Sequence, residues 1–164
     1  MALRVHMTIE GATQGQITEA CSLRTGREDT VELIALNQGI SIPTNDESGQ
    51  ITGHARFDPL TVTKEIDRSS PMIQKGLVTN EVLKVTLQFY RFATDGKGKE
   101  ELYYTILLER ATVANYRGVL HNTLDAASAK LPALETVGFA FRDITVTYEP
   151  NGISYHYSLD TPEA

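Results

Sequence analysis

Apolar and polar residues alternate along most of the chain, which is the pattern of half-buried β-strands. The alternation is clearest over residues 3–10, 81–92 and 101–113, whereas residues 31–40 are apolar on both faces near their start. Residues 55–66 are rich in β-forming types. The pattern predicts an all-β or nearly all-β chain of about eight strands, which is typical of a barrel or a sandwich.

Three turn or irregularity signals interrupt this alternation. The register of apolar residues changes phase near Arg142 and Asp143, where a β-bulge would keep one continuous strand in register. The Pro-Asn-Gly that follows predicts a turn with Gly152 in a left-handed conformation, so we expect the last two strands to form a hairpin. Another hairpin turn is predicted at Asp95-Gly96.

One helix has a clear start signal. Ser70 is the expected cap, Pro71 suits the first helical position, and Ile73 and Leu77 are spaced to share one face. These features predict a short helix near residues 70–79, inserted in the middle of the strands. Residues 122–131 also have helical propensity, which the following proline would terminate.

The composition is that of a globular chain of 164 residues with a net charge of −6 at pH 7. The acidic balance argues against nucleic acid and anionic membranes as partners, because both require a basic surface. A single cysteine excludes an internal disulfide. The N-terminus lacks the apolar stretch of a signal peptide, and no apolar run reaches transmembrane length. We expect one domain over residues 1–164 that folds in the cytosol.

The sequence offers little catalytic or metal-binding chemistry. The four histidines lack the close spacing of zinc ligands, and His6 and His156 are expected to point outward from strands. No phosphate-binding, dinucleotide-binding or nucleophile motif occurs. We therefore expect no cofactor, no metal site and no catalytic residue.

Residues 58–73 place charges of both signs where a strand meets the predicted helix. Carboxylates in this stretch could serve acid–base chemistry. However, mixed charges at a strand end are more typical of an ion-paired or solvated junction. We favour the junction, whose residues are Lys64, Glu65, Asp67, Arg68, Ser70 and Pro71.

Several segments resemble a known family. They are FDPLTVTKEIDRSSPMIQKGL, the preceding IPTNDESGQITGHARF, the following LKVTLQFYR, then YYTILLERATV and ITVTYEPNGISY. Together they resemble the Hcp family, the haemolysin-coregulated tube proteins of bacterial type VI secretion, and the match runs in order over residues 1–160. Residues 119–136 match no family signature, and the chain has no tryptophan although many relatives carry one.

The resemblance implies a fold and an assembly. The fold is two β-sheets closed into a barrel with one short α-helix packed at its side. The assembly is a homohexameric ring, with rings stacked into a tube, effectors in the lumen, and the contractile sheath and the VgrG spike as further partners. The resemblance implies a structural protein that leaves the bacterial cytoplasm through the type VI apparatus. The charged junction would then also present charges of both signs to a neighbouring subunit.

The connection over residues 39–53 is the second candidate site. Its isoleucines, Ile40, Ile42 and Ile51, flank a polar run, so we expect anchored ends and a projecting tip. The corresponding loop of Hcp-like proteins reaches toward the adjacent ring, so the resemblance implies a ring-stacking role; a flexible surface loop is the alternative. The stacking residues would be Pro43, Thr44, Asn45, Asp46, Glu47, Ser48, Gly49 and Gln50.

Two functions of other classes remain open at this point. A monomeric β-barrel could bind a small apolar ligand inside, which predicts a monomer with a cavity. An enzyme could use the carboxylates of Asp58, Glu65 and Asp67, which predicts turnover that is lost in Asp67→Asn.

Overall fold

The computed structural model describes residues 5–93 and 98–161. Half of the chain is β-strand, and the described residues include one short α-helix, which confirms the mainly β prediction. Eight of the strands in the described ranges have six residues or more, and three have two. The elements are β1 (Val5–Gly11), β2 (Gly15–Gln16), β3 (Val31–Asn37), β4 (Ile40–Ser41), β5 (Arg56–Phe57), β6 (Leu60–Glu65), α1 (Ser70–Val78), β7 (Leu83–Phe92), β8 (Glu100–Val119), β9 (Leu134–Ala140), β10 (Asp143–Tyr148), a 3₁₀ turn (Glu149–Asn151) and β11 (Ile153–Ser158).

Six strands close into a barrel in the order β1-β3-β6-β9-β8-β7, with antiparallel neighbours throughout. The long strand β8 makes this closure possible because it changes partners along its length. Its first part lies between β7 and β10, and its last part, from Thr112 to Val119, pairs with β9. Arg110 has a φ of +48° at this changeover, a left-handed conformation that suits a bulge.

Alternate residues of the barrel strands fill its interior. Leu60 and Val62 of β6 are fully buried opposite Phe139 and Val137 of β9. Ile73, from α1, is also fully buried and joins the same apolar core. Because complete burial of one such side chain contributes about 1.5–3 kcal/mol, this alternation stabilises both the barrel and the helix on its side.

The helix forms where the sequence predicted it, but its cap is different. Ser69 is the N-cap residue instead of Ser70, and its side chain makes no capping hydrogen bond. The Ser70 hydroxyl accepts a hydrogen bond from the Asp67 backbone N–H at 3.0 Å. Pro71 lies in the first turn, where its missing N–H leaves no intrahelical acceptor unpaired.

The prediction of a β-bulge at Arg142 and Asp143 is wrong. β9 ends at Ala140 and β10 begins at Asp143, so two separate strands account for the change of phase. β9 pairs with β6 and β8, whereas β10 pairs with β8 and β11. The predicted hairpin between β10 and β11 is confirmed, with Gly152 at a φ of +63°.

Residues 122–131 form turns and not the helix that their propensity predicted. The side-chain oxygens of Asn122 and Asp125 each accept a hydrogen bond from the backbone N–H two residues later. Such local hydrogen bonds compete with the helical ones, which explains the difference. The hairpin turn predicted at Asp95-Gly96 lies outside the described residues.

Candidate functional site

The connection between β3 and β6 is a hairpin, which we call the arm and define as residues 39–58. β4 and β5 pair near its base, and Thr44 bridges to Ile51 further out. At the tip, the Asn45 side chain accepts hydrogen bonds from the backbone N–H groups of Glu47 and Ser48 at 2.9 and 3.0 Å. These contacts give the arm a defined shape, although most of its residues are exposed.

The three isoleucines of the arm do not anchor its ends. Ile40, Ile42 and Ile51 are 58%, 46% and 68% exposed, so the expectation that they would pack inward is wrong. The base is held instead by Phe57, whose ring centroid lies 5.0 Å from that of Tyr157. Three exposed isoleucines on one hairpin form an apolar surface that the chain itself leaves uncovered.

The strand–helix junction is built on a buried lysine. Lys64 is fully buried, and its Nζ lies 2.6 Å from Glu135 Oε1 and 2.9 Å from Asp67 Oδ1. The same Nζ donates hydrogen bonds to the Glu65 carbonyl oxygen at 2.8 Å and to Ser70 Oγ at 3.4 Å. Lys64 and Glu135 are direct cross-strand partners on β6 and β9. One buried charge therefore ties the start of the helix to the neighbouring barrel strand.

Glu135 and Tyr116 complete this network, and sequence reasoning missed both. Glu135 is fully buried, and the Tyr116 hydroxyl donates to its Oε2 at 2.5 Å. Burial raises the pKa of Tyr116, and the hydrogen bond to Glu135 raises it further. A signal for the buried lysine was available, because Lys64 continues the inward parity of Leu60 and Val62.

The remaining charged residues of the junction are closer to solvent. Glu65 and Arg68 are exposed, and Asp67 is half-buried. Lys64 lies in the chain's own core, so it cannot be one of the charges presented to a neighbouring subunit. Asp58 precedes β6 and Glu65 ends it, so these two carboxylates are separated by the length of the strand and form no acid–base pair.

The histidines differ in their surroundings. His6 is fully buried, which corrects the outward orientation expected for it, whereas His156 is exposed as expected. Burial lowers the pKa of His6, and the charge of Arg27 lowers it further. In the two described ranges, no group of three or more His, Cys, Asp or Glu side chains could hold a metal ion. None of the helices in those ranges is long and apolar enough to cross a membrane.

Comparison with known proteins places this barrel in a family. The family model described as "Type VI secretion system effector, Hcp" matches residues 6–148. The chain belongs to the Hcp family. This confirms the resemblance that the sequence segments indicated.

Individual Hcp relatives match over nearly the whole chain. The "Major exported protein" of Pseudomonas aeruginosa is 36% identical over 163 residues, with 94% of each chain covered. The solved structure of the secreted protein Hcp3 from Pseudomonas aeruginosa is 29% identical, with a TM-score of 0.77 over 96% of this chain and 98% of that one. The Hcp1 protein from the E. coli EAEC 042 pathovar is 26% identical, with a TM-score of 0.83 over 95% and 98%.

Family and fold together assign the chain's general role. It is a tube subunit of the type VI secretion system, and it is a secreted protein. The barrel with one short helix is the fold that the resemblance implied. The family favours this role over the small-ligand barrel that the sequence left open.

Proposed function

We propose that the chain is a structural subunit that assembles into homohexameric rings, which stack into a tube with effectors in its lumen. The tube contacts the contractile sheath along its outside and the VgrG spike at its end. This role uses no catalytic residue, cofactor, nucleic acid or membrane. The protein acts as one domain over residues 1–164, made in the bacterial cytoplasm and exported by the type VI apparatus.

The free edge of β11 is the observation that best supports a ring. β11 pairs with β10 on one side, and no strand of the described ranges pairs with its other side. Its Ile153 and Tyr155 are 63% and 52% exposed, and it has no proline, lysine or arginine to protect the edge. An edge that contacts a different surface of the next copy generates a ring when the rotation closes.

Sedimentation equilibrium of the purified protein is expected to give about 109 kDa, six times the 18.1 kDa chain. Tyr155→Lys should lower the particle mass while the chain stays folded, because the new charge opposes edge pairing at a position that is already half exposed. Leu124→Lys is the matched control, since Leu124 is also exposed but lies on the turn that follows the β9-paired end of β8, outside β10 and β11. A wild-type monomer would contradict the ring, and a hexamer of Tyr155→Lys would place the lateral contact elsewhere.

We propose that the arm stacks one ring on the next and that Glu65 and Arg68 of the junction face a neighbouring subunit. The exposed isoleucines and the paired backbone of the arm support the first part. The exposure of Glu65 and Arg68 supports the second. The stacking residues remain those of the tip, Pro43, Thr44, Asn45, Asp46, Glu47, Ser48, Gly49 and Gln50.

Replacing residues 44–49 by Gly-Gly is expected to leave the ring intact but to reduce stacking sharply, because the tip contributes little to the chain's own core. Light scattering measures the particle mass, which shows whether the ring is intact. Disulfide trapping between rings, with one engineered cysteine per ring face in a Cys21→Ser background, measures the stacking. Unchanged trapping would remove the arm from the stacking contact. Loss of the ring itself would assign the arm to the lateral contact.

A further inference from the structure

The β2–β3 loop, residues 17–30, lies against the barrel through two arginines. Arg24 and Arg27 both form ion pairs with Glu100 at the start of β8, and Arg27 Nη2 lies 2.9 Å from Glu100 Oε2. The Arg27 guanidinium also stacks on Tyr90 of β7, with its Cζ 3.3 Å from the ring centroid. The Arg27 side chain is only 14% exposed, so little solvent reaches these contacts. Arg27 therefore connects the loop to two strands at once.

His6 of β1 is the buried end of this cluster. Its side chain is fully buried, and its ring packs edge-on against Tyr90 with the centroids 5.6 Å apart. Its Nδ1 lies 2.8 Å from Thr30 Oγ1, and its Nε2 lies 3.3 Å from Arg27 Nη1. The imidazole thus contacts both the last residue of the loop and the arginine that holds the loop in place.

The hydrogen bonds determine the protonation state of His6. The Thr30 hydroxyl donates its one proton to the Arg27 carbonyl oxygen at 2.7 Å, so Thr30 Oγ1 accepts its other hydrogen bond from His6 Nδ1. The Arg27 guanidinium has only donors, so His6 Nε2 accepts from it. Both contacts are satisfied only by the neutral imidazole that carries its proton on Nδ1.

A second proton on His6 is incompatible with this arrangement. Protonation of Nε2 replaces an acceptor by a donor that points at another donor, and it places a positive charge 3.3 Å from Arg27 Nη1. Because the imidazole is fully buried, that charge is also removed from water, which is costly for an ion without a partner of opposite charge. The closed loop therefore requires a neutral His6.

The other charged groups around His6 do not cancel this effect. Glu32, the cross-strand neighbour on β3, and Glu100 favour the charged imidazole, whereas Arg24 opposes it. The neighbour on β7, Gln88, carries no charge. Burial lowers the pKa of His6 most and Arg27 comes next, so the pKa lies below its ordinary value of 6.5 while the loop is closed.

We propose that His6 is a proton sensor that releases the β2–β3 loop from the barrel in acid. At neutral pH the imidazole accepts from Arg27 and the loop stays closed. In acid the imidazolium forms once Arg27 moves away, and this movement takes the loop off Tyr90. Because the chain is a secreted protein, the sensor responds to the pH of the surroundings into which the chain is exported. This inference does not depend on the proposed ring or tube.

Hydrogen exchange of the purified protein tests the release. Because opening is linked to the uptake of one proton, the open fraction of the loop should rise about tenfold per pH unit as the pH falls from 6.5 toward the lowered pKa of His6. Mass spectrometry of peptides from residues 17–30 measures this opening, after correction for the intrinsic exchange rate at each pH. Peptides from β6 and β9 provide the reference and should stay protected. An open fraction that does not change with pH overturns the proposal.

His6→Gln keeps a side-chain acceptor but cannot take up a proton, so its loop should open to the same extent at every pH. His156→Gln is the matched control and should keep the wild-type response. His156 also contacts a threonine hydroxyl, with its Nδ1 2.9 Å from Thr145 Oγ1, but it is exposed. An acid response that persists in His6→Gln would assign the sensor to a carboxylate such as Glu100 and overturn the proposal.

Solid-state NMR of the protein labelled with ¹⁵N-histidine tests the protonation state in the presence of the native His6. The His6 signal is the one that remains when His54, His121 and His156 are replaced by glutamine. At neutral pH it should show a proton on Nδ1 and none on Nε2, and its protonation midpoint should lie below 6.5. A proton on Nε2 at neutral pH would contradict the proposed sensor.

The same NMR measurement on two arginine variants separates a direct contact from general charge. Arg27→Gln should raise the protonation midpoint of His6, because it removes the cation that faces Nε2. Arg24→Gln is the matched control, since Arg24 lies on the same loop and pairs with the same Glu100 but opposes the protonation of His6 less. It should raise the midpoint by a smaller amount. Equal midpoints in Arg27→Gln and the wild type would overturn the proposal.

Discussion

Glu135→Leu is expected to destabilise the folded chain by about 3–5 kcal/mol, because it leaves the buried charge of Lys64 without its cross-strand partner. Asp67 lies 2.9 Å from the same Nζ but is half-buried, so it compensates only in part. The Tyr116 hydroxyl also loses its acceptor. Urea denaturation at one fixed protein concentration measures the effect, since assembly makes the apparent stability depend on concentration.

The double variant Lys64→Met/Glu135→Leu is the matched control. Replacing a buried ion pair by apolar side chains of similar volume is often neutral or stabilising, so the double variant should recover most of the lost stability. A Glu135→Leu variant as stable as the wild type would mean that Asp67 alone is sufficient for Lys64. A double variant as unstable as the single one would mean that the loss of stability comes from losing the interactions of the network, and not from leaving the Lys64 charge unpaired.

Ile73→Asp is expected to destabilise the chain by more than about 4 kcal/mol, because it places a charge at a fully buried position of α1. Pro71→Ala should change stability by less than about 1 kcal/mol, because Pro71 is exposed in the first turn of the same helix. Thermal melts of the two variants, compared under identical conditions, measure the difference. Equal melting temperatures would contradict the assignment of the buried face of α1.

The barrel strands could be predicted because their alternation is local information. In β6, the same alternation continues through Lys64. The inward direction of the Lys64 side chain could therefore be predicted, although the charge of a lysine suggests the surface. The partner of Lys64 could not be predicted, because Glu135 lies 71 positions later in the sequence and only the pairing of β6 with β9 brings the two residues together. The Arg110 bulge, where β8 changes partners, carries no glycine or proline to mark it.

The arm was predictable as a surface but not as a structure. Its length and its polar run indicated a projecting segment, and the three isoleucines indicated that something covers it. The sequence interpretation assumed that the chain's own core does so, whereas these side chains are exposed. Which molecule covers them is a property of the assembly, and no periodicity within one chain contains that information.

Electron microscopy of the purified wild-type protein tests the central claim most directly, because it reports symmetry and stacking together. A stacked hexameric tube predicts end-on views of rings with six-fold symmetry around an open lumen, and side views in which successive rings face the same direction. Particles of single barrels, or rings of another symmetry, would contradict it.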